Sequence, residues 1–132
     1  MVARIVLLAG AAALIALGVA RTDAHRSCAS SQRAAFAVGA GQQPRASAAA
    51  VGRRLVDRCR DVQRLVDGAS AFLRAGAVGP AGELARAAVR REPERRDAWI
   101  ALWHARQAAG DDAGAQRALG RARQLDPLSF RR

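Results

Sequence analysis

The sequence predicts an all-α fold, helix-turn-helix units stacked into about five helices behind an N-terminal hydrophobic helix. Three observations predict it. Gly76, Ala81, Ala88 and Pro93 recur as Gly110, Ala115, Ala122 and Pro127, each shifted by the same interval, and such a fixed period marks a repeat architecture. Within each unit the two alanines fall seven apart, two turns along one helix face, where small side chains let two helices approach closely. Leu55, Cys59, Val62, Val66, Ala69 and Leu73 step by four, three, four, three and four, which keeps them on one apolar stripe.

Residues 5–20 are an uninterrupted apolar run with Arg4 before it and Arg21 to Arg26 after it. Residues 1–20 therefore read as a signal, signal-anchor or transmembrane segment and not as part of the fold. The run is short against the roughly 20 residues of a spanning helix and long for a signal-peptide core. Small residues at Gly18 and Ala20, and at Thr22 and Ala24, offer two loose cleavage points. Cys28 stands too far beyond the run for a lipoprotein anchor.

Two arguments on orientation disagree. Arg21, Arg26 and Arg33 outnumber Arg4, which read literally places the following chain in the cytoplasm. Cys28 and Cys59 are the only two cysteines and flank a stretch containing Gly, Gln, Pro and Ser, a layout that suits one disulfide in an oxidising compartment. The alternative is two unpaired, partly buried thiols. Export is the favoured reading: a membrane-anchored chain with its domain outside the cytoplasm, or a secreted one if cleaved.

Residues 21–45 are polar, with Gly39, Gly41 and Pro44 as breakers, and read as a linker, with Phe36 and Val38 tucked onto the first helix. A helical domain over 46–132 follows. From Ala46 the apolar stripe predicts one long helix, or two bent near Gly52 or Gly68. Gly76 then serves as a C-cap, and Gly79-Pro80 opens a helix over about 80–91, Pro being tolerated in a first turn. Pro93 closes it and Asp97 caps the next, whose inner side holds Trp99, Leu102 and Trp103. Gly110 stops that helix, and Asp111-Asp112 caps and starts a last one over about 112–124.

The two units, about 62–95 and 96–129, resemble tetratricopeptide repeats. The residues carrying the resemblance are Trp99, Leu102, Gly110-Asp111, Ala115, Ala122, Leu125 and Pro127 in one unit, and Phe72, Gly76, Ala81, Ala88 and Pro93 in the other. Trp103 stands where the family keeps a small residue, Arg106 where it keeps an aromatic, and Gly68 where it keeps Leu. The resemblance implies an α-solenoid, and recognition of a protein or peptide partner by the first helix of each unit. Carried over, the groove positions are Gln63, Val66, Ser70, Leu73 and Arg74, then Asp97, Ile100, His104 and Gln107. Their mixture of apolar residues with Arg74 and His104 suits a segment bearing an acidic group. The alternative is that several simply pack against the 46–60 helix.

Stacked pairs bury their faces only against neighbours. With two recognisable units and no solvating helix after them, the C-terminal side is expected to be thinly covered by Leu128 and Phe130 or buried by another chain, which makes self-association an expectation.

The net charge is +11, all 22 basic residues are Arg, and about a quarter of the chain is Ala, a composition that reflects GC-rich coding. Residues 62–132 hold 13 Arg against 8 acids, interspersed as on an ordinary solvated helix face. No aromatic-interleaved basic patch of the stacking kind is visible. Catalysis finds no support: His25 lies in the linker, His104 has no acid or thiol cluster at ligand spacing, the two His and two Cys reproduce no zinc spacing, and Asp97 and His104 have no nucleophile beside them. Gly39-Ala40-Gly41 lacks the third glycine of a dinucleotide fingerprint, since Pro44 stands there. The expectation is a non-enzymatic scaffold for protein–protein interaction, without cofactor or metal. Its rival is an Arg-rich binder of membrane surface or nucleic acid using Arg21, Arg26, Arg33, Arg45, Arg53 and Arg54.

Overall fold

Three glycines end three helices in the same way. Gly41, Gly76 and Gly110 have φ of 73°, 70° and 75°, the left-handed region that glycine enters without a Cβ penalty. After each, two N–H groups turn back onto the helix: Gly76 to Leu73 and Ala77 to Phe72, Gly110 to Gln107 and Asp111 to Arg106, Gly41 to Val38 and Gln42 to Ala37. This paired return satisfies carbonyls that a helix end otherwise orphans.

The computed structural model describes residues 22, 23 and 25–130, and among these it is all-helical, without strands. Helix α1 covers residues 25–39. A short 3₁₀ turn, Arg45–Ser47, leads into α2 (Ala48–Arg58), followed by α3 (Val62–Arg74), α4 (Val78–Arg91), α5 (Arg96–Ala108) and α6 (Asp112–Leu125), with a last 3₁₀ turn at Leu128–Phe130. The hydrophobic segment expected at 1–20 lies outside the described residues. Among the described residues, no helix is long and apolar enough to cross a membrane.

Each helix from α2 to α5 packs on its successor, and α2 on α4 and α3 on α5 also meet. Helices α2, α4 and α6 bury the same pattern: Ala48, Val51, Gly52 and Leu55; Ala81, Leu84, Ala85 and Ala88; Ala115, Ala118, Leu119 and Ala122. That i, i+3, i+4, i+7 spacing is one inward helix face. Along α1 and α3 the buried sets Cys28, Ser31, Ala35, Val38 and Val62, Leu65, Ala69, Phe72 are offset by the interval that separates Gly76 from Gly110.

The 21–45 linker expectation is thus corrected over 25–39, which is helical and contributes Cys28, Ala35 and Val38 to the core. The reading failed because α1 buries mostly small side chains and leaves its one large aromatic exposed, so its apolar stripe is faint. Val38 is buried, but Phe36 does not tuck inward; it is 41% exposed.

The stripe from Leu55 to Leu73 belongs to two helices that part between Arg58 and Val62, not near Gly52 or Gly68. Cys59 is extended, with φ −103° and ψ 123°, and Asp61 caps α3 by accepting the Gln63 N–H at 2.9 Å. Side-chain oxygens at such a position satisfy an otherwise unpaired first-turn donor. Helix α6 begins as expected, with Asp111 accepting the Gly114 N–H at 2.8 Å. Helix α5 does not, because its N-cap is Arg95 with no side-chain cap, and Asp97 lies in the first turn.

Gly68 breaks the repeat's own pattern for a packing reason. A Cβ there would lie 3.0 Å from a methyl of Leu55 and 3.0 Å from one of Leu84. The leucines of α2 and α4 fill the space that a leucine of α3 would need.

Cys28 and Cys59 form a disulfide, with Cα atoms 4.9 Å apart, which ties α1 to the break between α2 and α3. Closing 31 residues of sequence separation stabilises the fold by about 3 to 4 kcal/mol in the loop-entropy picture. Reduction is expected to lower the denaturation midpoint accordingly, measured by paired denaturant melts with and without a thiol reductant; an unchanged midpoint would refute the clamp.

Two glycine-to-alanine changes should have opposite signs. At Gly39 the new methyl would sit 2.8 Å from the Ala71 carbonyl oxygen, a backbone atom that cannot step aside, so G39A is expected to cost about 1 to 3 kcal/mol. At Gly120, inside α6, a methyl meets nothing within 4 Å, and G120A should add up to about 1 kcal/mol of helix propensity. Thermal melts of the two variants check both signs.

Candidate functional site

The groove residues proposed from sequence lie on α3 and α5. Val66 and Leu73 are half-buried and rest against the core. Ser70 and Arg74 stand exposed on α3, His104 and Gln107 on α5, with Ile100 half-buried between them. The Ser70 hydroxyl donates back to the Val66 carbonyl at 3.1 Å, so its oxygen still faces outward as an acceptor.

Two of the nine are already engaged within the fold. Gln63 accepts from Arg95 at 2.6 Å and donates to Asp67 at 2.9 Å, which joins α3 to the start of α5. Asp97 accepts from Arg96, and Arg96 also reaches Asp126 at 3.0 Å. Gln63 therefore acts first as a strut between helices, while Asp97 is held by its neighbour Arg96, the residue that spans to the end of α6. Exposed ion pairs of this kind contribute little stability each, but they set the registration of one helix against another.

Sequence reasoning missed the third helix on this surface. One repeat interval before Ser70 stands Phe36, and one interval after it stands His104; all three are exposed. Val66 has counterparts in Gln32 and Ile100, both half-buried, and Gln32 accepts from Arg64 of α3 at 2.7 Å. The same spacing that exposed the repeat would have found Phe36, had residues 21–45 been scanned for it.

Several of the arginines serve as internal stitches. Arg91 of α4 donates to the carbonyls of Val56 and Cys59, acceptors that the end of α2 leaves unpaired. Arg106 donates to the Gly114 carbonyl at 2.9 Å and approaches Asp111 at 3.8 Å. Arg121 reaches Glu94 at 3.1 Å. Where the repeat resemblance expects an aromatic at 106, this chain has a cation that pins the α5–α6 turn.

Toward the C-terminus, Leu65, Ala69 and Phe72 of α3 are buried, whereas their repeat counterparts Trp99, Trp103 and Arg106 on α5 are half-buried. Helix α3 has α1 on one side and α5 on the other, while among the described residues α5 has α3 alone as a neighbour of its own kind. Trp99 covers part of this side by donating to the Pro93 carbonyl at 2.8 Å. The buried Trp103 indole N–H finds no acceptor among the described residues, and its ring lies against His104, 4.3 Å between centroids. Leu128, expected to help cover this side, is 72% exposed. The inner face of α6 is nonetheless fully sealed, with Ala115, Ala118, Leu119 and Ala122 all buried.

No group of three His, Cys, Asp or Glu among the described residues could hold a metal ion. No family model, no curated protein and no solved structure matches this chain.

The end of α6 carries one perturbed carboxylate. The Ser129 hydroxyl and backbone N–H donate to Asp126, and with Arg96 they hold its carboxyl below the ordinary value of 3.8. A depressed folded-state value means this contribution is complete above about pH 4 and is lost as pH falls through the lowered value. A carbon-detected NMR titration should place the Asp126 midpoint below its ordinary value, and S129A should move it back up.

Proposed function

We propose that this chain is a non-enzymatic helical-repeat scaffold, a tetratricopeptide-like α-solenoid whose α1, α3 and α5 present a groove to a protein or peptide partner. The observation that carries the reading is the recurrence, at one constant interval, of exposed positions Phe36, Ser70 and His104 on three helices, of which α1 and α3 share one buried face and each is ended by a left-handed glycine. Side chains repeated at one interval on stacked helices form a continuous strip, and extended or helical segments dock on such strips through spaced anchors. Phe36 supplies an aromatic anchor, Ile100 an apolar one, and Arg74 and His104 suit an acidic group on the partner. In this reading α1–α2 is a third unit and covers the N-terminal side of the other two. Residues 5–20 would place the scaffold at a membrane, with its domain on the extracytoplasmic side where the Cys28–Cys59 bridge persists. The half-buried Trp99 and Trp103 leave self-association as a second use of the C-terminal side.

A photo-crosslinking residue at Ser70 in the natively produced full-length chain is expected to trap a discrete protein partner, while the same residue at Gln116 on the outer side of α6 should not. I100E should abolish trapping by the residue at Ser70 with little change in melting temperature, because Ile100 is not fully buried. Equal trapping at both positions would overturn the groove assignment. The rival nucleic-acid reading predicts an affinity that falls by about three orders of magnitude or more between about 50 and 200 mM salt, against a small change for an apolar-floored groove.

A further inference from the structure

A cleft of about 360 Å³ opens between α1 and α2, away from the groove. Ser27, Ser30 and Ser31 line it from α1, and Arg54 and Arg58 line it from α2. Among the described residues, no carboxylate lines the cleft. Arg54 and Arg58 are four residues apart, hence neighbours on one helix face, and neither makes a hydrogen bond or ion pair among the described residues. They differ in this from Arg64, Arg91, Arg95, Arg96, Arg106 and Arg121, each of which is spent on an acceptor inside the fold.

The opposite wall supplies hydroxyls. Ser30 and Ser31 both turn their O–H onto the Ser27 carbonyl, at 2.9 and 3.0 Å, and the Ser27 hydroxyl has no partner among the described residues. A hydroxyl hydrogen rotates to suit its acceptor, so these groups can redirect toward an anion without moving the backbone. The disulfide holds the two walls at their spacing, since Cys28 sits beside Ser27 on one and Cys59 follows Arg58 on the other.

We infer that this cleft binds a phosphate group, carried on an anionic lipid headgroup or on a small soluble phosphate compound. Two guanidiniums with fixed forks and adjacent hydroxyls match the acceptor oxygens of phosphate, and the volume exceeds a bare ion and accommodates a phosphorylated headgroup. The lipid source is chemically apt because the cleft begins seven residues after the apolar run 5–20, a distance that would keep it near phosphate headgroups at a membrane surface. The inference concerns a different surface from the groove and stands whether or not that groove binds a partner.

The test uses the full-length protein and three versions of it: wild type, R54Q/R58Q, and the charge-matched R90Q/R117Q, whose two arginines are exposed on α4 and α6. Co-flotation compares vesicles of phosphatidylcholine alone with vesicles doped with phosphatidic acid, so the contribution of the apolar segment cancels in the difference. The expected result is that R54Q/R58Q loses about tenfold or more of the preference for anionic vesicles, while R90Q/R117Q keeps most of it. In a second arm, inorganic phosphate is titrated into the protein in zwitterionic detergent, and amide shifts are followed at Ser27, Ser30 and Ser31. Shifts that vanish in R54Q/R58Q, with no vesicle preference, support the same site with a soluble phosphate as its ligand. Equal losses in the two double variants, or neither vesicle preference nor phosphate shifts in wild type, would overturn the inference. Unchanged melting of both double variants establishes that the comparison reports binding.

Discussion

The structure depends on close approach between helices whose contacts are built largely on alanine and glycine. Alanine and glycine line the inner faces of α2, α4 and α6, and Gly39 of α1 lies against the backbone of Ala71. Short side chains gain little individually from burial, so what holds the stack is many dispersion contacts made at short range. That geometry is intolerant of added volume, and at Gly68 a small residue makes the room that Leu55 and Leu84 fill. The largest fully buried side chains, Phe72, Leu55, Leu65 and Leu84, all sit on α2–α4, which makes this the firmest part of the molecule.

A core so poor in bulk needs other fasteners, and the chain supplies two kinds. The Cys28–Cys59 bridge restrains α1, the helix with the weakest apolar stripe, against the start of α3. Arginines do the equivalent work toward the C-terminus, where Arg91, Arg95, Arg96, Arg106 and Arg121 each bond to a neighbouring helix or turn. The net charge of +11 therefore overstates the cationic surface free to meet a partner. The arginines left over, Arg54 and Arg58 among them, are the ones whose chemistry points outward.

The two proposed surfaces use different parts of the same construction. The groove draws on positions that recur through α1, α3 and α5, and so depends on the stacking register. The serine–arginine cleft belongs to α1 and α2 alone and depends on the disulfide that spaces them.

From sequence alone came the helical class, the repeat interval, the glycine stops at Gly76 and Gly110, the Asp111 cap and the pairing of Cys28 with Cys59. These are local or periodic properties, encoded by backbone freedom, hydrogen-bonding reach and helix pitch, and they need no knowledge of neighbours. Only the tertiary structure decided that 25–39 is a helix of the core, that the Leu55–Leu73 stripe parts at Cys59 and Asp61, and that Gln63 and Asp97 are braced by Arg95 and Arg96. It also brought Ser27, Ser30 and Ser31 opposite Arg54 and Arg58, residues that no spacing in the chain connects. The reason is physical: a helix built on alanine and serine reveals its inner face only when another helix has buried it, and a cleft between two helices exists only once a third constraint holds them apart.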